Sequence, residues 1–174
     1  MTANISKEAH FTVRTRVVVV ALALLAVAPA LFANGAPEAE AFESGEYTVW
    51  TGERITFTKP DGADPTLAEN QDRITESVWI TRGNSGGQIY NAVERNRAVK
   101  STSPVGTYWA VGTTDDLPDL EFAPFRSAVG SPKDVEGKDL VLFIEAEGIF
   151  IDVRFTSWSQ EKRGGFAYER STPE

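Results

Sequence analysis

The chain has 174 residues, with 25 Asp and Glu against 17 Lys and Arg, which gives a formal net charge of −8. Nucleic acid and anionic lipid surfaces are poor partners for such a chain, because both are bound through clustered Lys and Arg. There is no cysteine and only one histidine. Disulfides, thiolate metal sites and a cysteine nucleophile are therefore excluded.

The N-terminal segment has the order of a secretory signal: basic residues, then an apolar stretch at residues 17–33, then small and polar residues. The basic residues are Lys7, Arg14 and Arg16. We expect residues 1–41 to be a signal helix that is cut after Ala33 or Ala41. The protein would then be secreted to the periplasm or the cell surface, with no membrane part after cleavage. The alternative is an uncleaved anchor, since the apolar stretch approaches the length of a spanning helix.

Cleavage would carry away His10, the single histidine. Residues 42–174 then lack the commonest general base and the commonest transition-metal ligand. Their length suits a single domain with its own core. Short runs of alternating apolar and polar residues, separated by Gly, Pro, Asp and Asn, predict an all-β fold, an antiparallel β-sandwich of jelly-roll or similar type.

The first predicted hairpin joins a strand at residues 47–50 to a strand at residues 54–59. A loop at residues 51–53 pairs Val49 with Ile55, so that both apolar side chains lie on one face. Later in the chain, further strands are predicted at residues 74–81, 88–93, 107–111 and 166–170.

The loop at residues 60–73 concentrates carboxylate oxygens. Asp61, Asp64 and Asp72 are candidate ligands for Ca²⁺, which prefers hard oxygen ligands and is available outside the cell. The spacing is not that of an EF-hand, because the run of alternating ligands closed by a Glu is missing. A solvated acidic loop is the alternative, since Asp, Asn and Pro also form plain turns.

The Gly-rich run at residues 83–87, with the sequence GNSGG, looks like the nucleophile loop of trypsin-like serine proteases. A serine hydroxyl needs a neighbouring base, which in that family is a histidine. Because the mature chain has no histidine, we interpret the run as a turn between the strand that ends at Thr81 and the one that begins at Gln88.

The clearest unit is a hairpin at residues 139–158, for which Glu147 and Gly148 form a two-residue turn. This turn sets Leu142 opposite Val153, on a face that is apolar along both strands. The register and the hydrophobic pattern agree, as expected of a true hairpin.

Two tryptophans are candidate platforms for stacking sugar rings. Alternation places Trp158 on the face of Arg154, away from the buried residues of its strand, and Trp79 on the polar face of its own strand. Trp79, Trp158 and Arg154 are therefore candidate ligand-binding residues. The alternative is that both rings pack under loops or in the core, since aromatic residues carry much of any β-sandwich core.

Four short stretches stand out from the rest of the mature chain. They are residues 70–74 (NQDRI), 78–84 (VWITRGN), 155–159 (FTSWS) and 164–173 (GGFAYERSTP). Together they resemble an uncharacterised domain of secreted bacterial proteins, which often occurs beside other extracellular modules. The resemblance implies no activity, cofactor or catalytic residue.

We expect a non-catalytic secreted module that binds an extracellular glycan or protein surface or serves as an accessory piece, with Ca²⁺ as the candidate cofactor. The alternative is a carboxylate-dependent polysaccharide hydrolase, because two suitably spaced Asp or Glu side chains are enough for glycoside hydrolysis. No catalytic residue can be assigned, since nothing in the sequence identifies such a pair.

Overall fold

The computed structural model describes residues 47–174, all of which lie in one compact unit. The predicted signal segment and both candidate cleavage sites lie outside the described residues. Within them the fold is mostly β-strand with few helices, so the all-β prediction is confirmed. None of the described helices has the length and apolar character needed to cross a membrane.

Nine strands occur in the described part of the chain. They are β1 Thr48–Trp50, β2 Ile55–Lys59, β3 Asp72–Arg73, β4 Trp79–Arg82, β5 Ile89–Asn91, β6 Thr107–Val111, β7 Asp139–Ile144, β8 Ile149–Trp158 and β9 Phe166–Arg170. One short α-helix, α1, spans Phe125–Val129. Single 3₁₀ turns lie at Ala68–Asn70, Thr114–Asp119 and Pro132–Asp134.

The strands form a larger and a smaller sheet. The larger sheet has the order β2-β9-β8-β7-β6, with β1 added beside β8, and the smaller sheet has the order β3-β4-β5. All pairings are antiparallel except that of β1 with β8. β6 and β9 have the bounds predicted for them.

The hairpin of β7 and β8 is confirmed in position and in its buried face, but its predicted register is wrong by two residues. Leu142 pairs with Ile151 rather than with Val153. The reason is the connection, because residues 145–148 form a longer loop and the pairing starts from Ile144 and Ile149. A shift of two keeps every side chain on its face, which is why the hydrophobic pattern alone did not reveal it.

The predicted hairpin of β1 and β2 is wrong. β1 runs parallel to β8, with Val49 beside Phe150, whereas β2 pairs with β9. β9 covers β8 only from Val153 onward, so the first residues of β8 have a free side. β1 satisfies the backbone groups there, which would otherwise form an open sheet edge.

Two further strands are shorter than predicted. The stretch predicted as residues 74–81 contains a turn, in which the amides of Ile74 and Thr75 both donate to the carbonyl of Val78, so β4 begins only at Trp79. The stretch predicted as residues 88–93 is strand only over β5, because the chain turns directly after it.

Both faces of the central hairpin are buried. One hydrophobic cluster includes Ile80 and Ile89 of the smaller sheet together with Leu142 and Phe155 of the larger sheet. A second, smaller cluster on the opposite face of the larger sheet is centred on the stacked rings of Phe143 and Phe150. The hairpin therefore carries apolar residues on both faces, unlike a strand pair with one wet side.

Candidate functional site

A cleft with a volume of about 720 Å³ lies beside the smaller sheet. One wall is formed by Pro65, Thr66 and Gln71, and the other by the loop at residues 92–99, which follows β5. Tyr90 of β5 lies between the two walls. This volume is within the range of small-molecule and sugar-binding clefts.

Tyr90 is placed by strand alternation. Its neighbour Ile89 belongs to the hydrophobic cluster that the two sheets share, so Tyr90 points to the other face of β5. Tyr90 is only 2% exposed, and its hydroxyl, which forms no hydrogen bond with any described residue, lines the cleft. Burial, and then the negative charge of Asp64, raise the pKa of this phenol, so it stays protonated and able to donate.

The loop wall is held by the amide side chains of Asn91, in β5, and of Gln88, directly before it. The Asn91 Nδ2 donates to the carbonyl of Val105, and its Oδ1 accepts from the amide of Val93. The Gln88 Nε2 donates to three loop carbonyls, those of Val99, Lys100 and Ser103. Buried amides that bond only to backbone fix the loop without occupying its outer surface.

The opposite wall is held in the same way. The Asp64 carboxylate accepts from both the amide and the hydroxyl of Thr66, at 2.9 and 2.8 Å. The Asn70 Nδ2 donates to the carbonyl of Asp64, and the Gln71 Nε2 to that of Pro65. Both walls are therefore ordered by their own hydrogen bonds, which favours a preformed site.

The rim of the cleft is cationic, although the chain as a whole is acidic. Arg95 and Arg97 are exposed on the loop wall, and no described carboxylate lies within ion-pair distance of either. Glu94 is the one acidic residue of the lining. A guanidinium presents a planar fork of donors that matches carboxylate, sulfate and phosphate groups.

Trp79 lies on the face of β4 away from the shared core, as predicted, between the buried Val78 and Ile80. Its ring is half-buried, with the Arg73 guanidinium 4.1 Å from the ring centroid, and its Nε1 donates to the carbonyl of Thr75. One face of the ring is thus already covered by a cation. The backbone of Trp79 accepts a hydrogen bond from Ala92, which lines the cleft.

The prediction that Trp158 lies outside the core is wrong. A β-bulge between Phe155 and Ser157 inserts one residue into β8, which reverses the alternation beyond it. The Trp158 side chain is 6% exposed and packs with Phe155 and Phe166. The Arg82 guanidinium covers its ring at 3.9 Å. For Trp158, the alternative that the ring packs in the core is therefore correct.

Arg154 lies away from the cleft lining and already has a partner. Its Nη1 is 2.7 Å from both carboxylate oxygens of Asp139, in an exposed ion pair between β8 and β7. The structure therefore does not bring the three predicted ligand-binding residues together in one site.

The three predicted calcium ligands have separate partners. Asp61 forms an exposed ion pair with Arg163 at 3.2 Å, and Asp64 is bonded to Thr66. Asp72 is buried and accepts two hydrogen bonds from the guanidinium of Arg170. Over residues 47–174, no three His, Cys, Asp or Glu side chains are grouped so that they could hold a metal ion.

Asp72 instead belongs to a buried polar contact between the two sheets. The Arg170 Nε and Nη2 lie 2.7 and 2.9 Å from the two Asp72 oxygens, and the Tyr168 hydroxyl donates to Asp72 at 2.6 Å. Burial, together with the charge and hydrogen bond of Asp72, raises the pKa of Tyr168 well above its usual value. This contact joins β3 to β9 and has a structural role.

The Gly-rich run at residues 83–87 is a turn between β4 and β5, as predicted. Gly86 and Gly87 both have a φ of +96°, a conformation that side chains rarely adopt. Ser85 is exposed, whereas the Asn84 side chain accepts a hydrogen bond from Lys59.

Sequence patterns alone do not identify the residues that form the cleft. Tyr90 has no motif around it, and its position beside the loop at residues 92–99 and the wall at residues 65–71 follows only from the tertiary structure. One signal was present, because Arg95, Arg97 and Lys100 form a local run of positive charge in an acidic chain.

No protein-family model, no curated protein and no solved structure matches this chain. The resemblance to an uncharacterised secreted domain therefore rests on the four short stretches alone, and the residues of the cleft carry the functional conclusion.

Proposed function

We propose that this protein is a non-catalytic, exported ligand-binding module whose cleft binds an acidic glycan. The observation that carries the proposal is the Tyr90 hydroxyl, which lines the cleft between two hydrogen-bonded walls and forms no hydrogen bond with the described residues. A phenol that lines a cleft without a protein partner is free to donate a hydrogen bond to a ligand.

Two features of the cleft favour an acidic sugar chain over a neutral one. The unpaired guanidinium groups of Arg95 and Arg97 can each bind a carboxylate or sulfate through two parallel hydrogen bonds. Thr66, Gln71 and Asn96 add hydroxyl and amide groups to the lining, which suit sugar hydroxyls.

The charge balance favours a short acidic segment over a nucleic acid. The nearby positive charges are those of Arg95, Arg97 and Lys100, on a chain whose net charge is −8. Nucleic-acid binding draws its affinity from many phosphate contacts that release counterions, and three cations at one cleft supply few of them.

The setting that we propose is extracytoplasmic, with residues 1–41 acting as a removable signal and residues 42–174 as one domain. The signal pattern of residues 7–33 supports export to the periplasm, the cell surface or the medium. The shared hydrophobic cluster supports a sandwich in which the larger and smaller sheets are the two layers.

The cleft lends no support to the hydrolase alternative. Glycoside hydrolysis needs two carboxyl groups facing the scissile bond, and Glu94 is the one acidic residue of the cleft lining. Calcium is not part of the proposal, because Asp61, Asp64 and Asp72 each have another partner.

Affinity electrophoresis in gels that contain polygalacturonate, chondroitin sulfate or neutral galactan tests this function. We expect retardation in the acidic gels only, and a loss of affinity of about tenfold or more in the double variant Arg95→Gln/Arg97→Gln, because two charge-assisted contacts are removed. Tyr90→Phe should weaken binding by several-fold without loss of fold.

The matched control is Arg126→Gln/Lys133→Gln, which removes the same number of positive charges outside the cleft lining. Equal losses in the two double variants would show a non-specific charge effect and refute the site. If the protein bound to a protein array but to none of the acidic glycans, the proposed glycan ligand would be wrong and the ligand would be a protein.

A further inference from the structure

Lys59, the last residue of β2, is buried without a carboxylate partner. Its side chain is 1% exposed, and its Nζ donates to the Asn84 Oδ1 at 2.9 Å and to the carbonyl of Gly164 at 3.3 Å. Within residues 47–174, no Asp or Glu lies within ion-pair distance of this amine. A buried lysine that bonds only to neutral groups is costly as a cation.

The amide of Asn84 is fixed against this amine from two sides. Its Nδ2 donates to the carbonyl of Ala63 at 2.9 Å. Gly164 approaches the Asn84 Oδ1 so closely that a Cβ at this position would overlap it. The lysine nitrogen and the amide carbonyl are thus held in one geometry by backbone packing.

The surroundings favour the neutral, nucleophilic form of the amine. Burial, and then the positive charge of Arg82, lower the pKa of Lys59, while the charges of Asp61 and Asp64 oppose this change. Arg82 itself is 4% exposed and cannot move away, since its guanidinium bonds to three backbone carbonyls. A desolvated lysine beside another cation is a known way to activate this nucleophile.

We propose that Lys59 and Asn84 form an intramolecular isopeptide bond. The neutral Lys59 Nζ attacks the Asn84 Cγ, the Nζ–Cγ bond forms, the Cγ–Nδ2 bond breaks, and Nδ2 leaves as ammonia. The proton lost by Nζ goes to the leaving nitrogen. Atoms and charge balance without an oxidant, a metal or a cofactor.

The distances allow this step. Since the carbonyl bond is about 1.2 Å long, a nitrogen at hydrogen-bond distance from Oδ1 lies within about 4 Å of Cγ. A small rotation of the lysine side chain therefore reaches the roughly 3 to 3.5 Å separation of a near-attack geometry. The amine comes from a buried side chain, whereas Asn84 is half-buried, so the ammonia that forms can leave toward solvent.

The bond would tie the two sheets together covalently. Lys59 ends a strand of the larger sheet, and Asn84 lies in the turn after β4 of the smaller sheet. The chain has no cysteine, so a disulfide cannot serve this purpose. An amide bond also resists reduction, which suits a protein outside the cell.

Mass spectrometry of the purified full chain tests the proposal. The mass should fall about 17 Da, the mass of ammonia, below that of the processed sequence, because the amine displaces Nδ2. After trypsin, the peptide of residues 55–73 should be joined to that of residues 83–95, with the link located at Lys59 and Asn84 by fragmentation. An unshifted mass and two separate peptides would overturn the proposal.

Variants define the chemistry further. Lys59→Arg and Asn84→Ala should each restore the full mass, whereas the control Lys138→Arg, at a lysine that bonds to the carbonyl of Val129, should keep the link.

Discussion

Two buried arginines show two ways of satisfying a cation inside this fold. Arg170 is 6% exposed and forms two hydrogen bonds to the carboxylate of Asp72, which Tyr168 also contacts. Arg82 is 4% exposed, and its described hydrogen-bond partners are carbonyls, those of Gly87, Ser159 and Gly165. The first contact joins two strands, and the second joins two loops, the turn between β4 and β5 and the connection between β8 and β9.

The difference appears in the charge balance of the two sites. Burial alone would lower the pKa of Arg170, but the hydrogen bond and charge of Asp72 raise it above its usual value. Burial lowers the pKa of Arg82 to about 10, and Asp61 opposes this only in part. The cation of the Arg170 site is therefore paired with a carboxylate. The Arg82 site contains a second basic side chain, Lys59, whose amine has no described carboxylate within ion-pair distance. This is the amine for which we propose the isopeptide bond.

The largest effect is expected when the Arg170 site is broken. Asp72→Ala leaves Arg170 buried and unpaired, so the free energy of unfolding should fall by about 3 to 5 kcal/mol. Urea denaturation measures this loss. The double variant Asp72→Ala/Arg170→Met should recover part of it, since the uncompensated charge is removed. A loss below about 1 kcal/mol would contradict a tight buried pair.

A smaller loss is expected at the carbonyl-bonded arginine. Arg82→Met leaves three carbonyls without their donor but also removes a buried cation, so we expect a loss of about 2 kcal/mol in the same urea assay. Arg82→Lys should be no better, because an ammonium cannot reproduce the planar fork. Full stability in Arg82→Lys would show that charge alone holds the loops.

The raised pKa of Tyr168, in the Arg170 site, should make the stability of the protein depend on pH in alkali. In the unfolded chain the Tyr168 phenol loses its proton near pH 10, but in the fold its raised pKa keeps the proton on. The folded state then binds more protons, so stability should fall as the pH rises above 10. Thermal melts from pH 9 to 11 should show a weaker decline in Tyr168→Phe. Parallel declines in both proteins would contradict the raised pKa.

The smallest effect is expected at the exposed pair. Asp139→Ala removes the partner of Arg154, both side chains being more than two-fifths exposed, so the loss in the urea assay should be smaller than that of Arg82→Met. Added salt should reduce it further, because exposed charges are screened. A larger loss would mean that geometry counts for more than burial in this protein.

The alternation of apolar and polar residues was sufficient to predict where several strands lie and which of their faces are buried. The bounds of β6 and β9, the position of the β7–β8 hairpin and the outward face of Trp79 all follow from alternation. Alternation has a period of two, so it cannot detect a shift of two residues in the hairpin. It also fails at a bulge, so alternation predicts the wrong face for Trp158.

The sequence by itself determined an acidic, cysteine-free, all-β protein with an apolar hairpin, because composition and alternation are local properties of the chain. Only the tertiary structure decided which distant residues meet. Asp72 meets Arg170, Lys59 meets Asn84, and Tyr90 lies between two loops. Such contacts join segments far apart in the chain, and their geometry depends on register and loop closure, which no single stretch of sequence encodes.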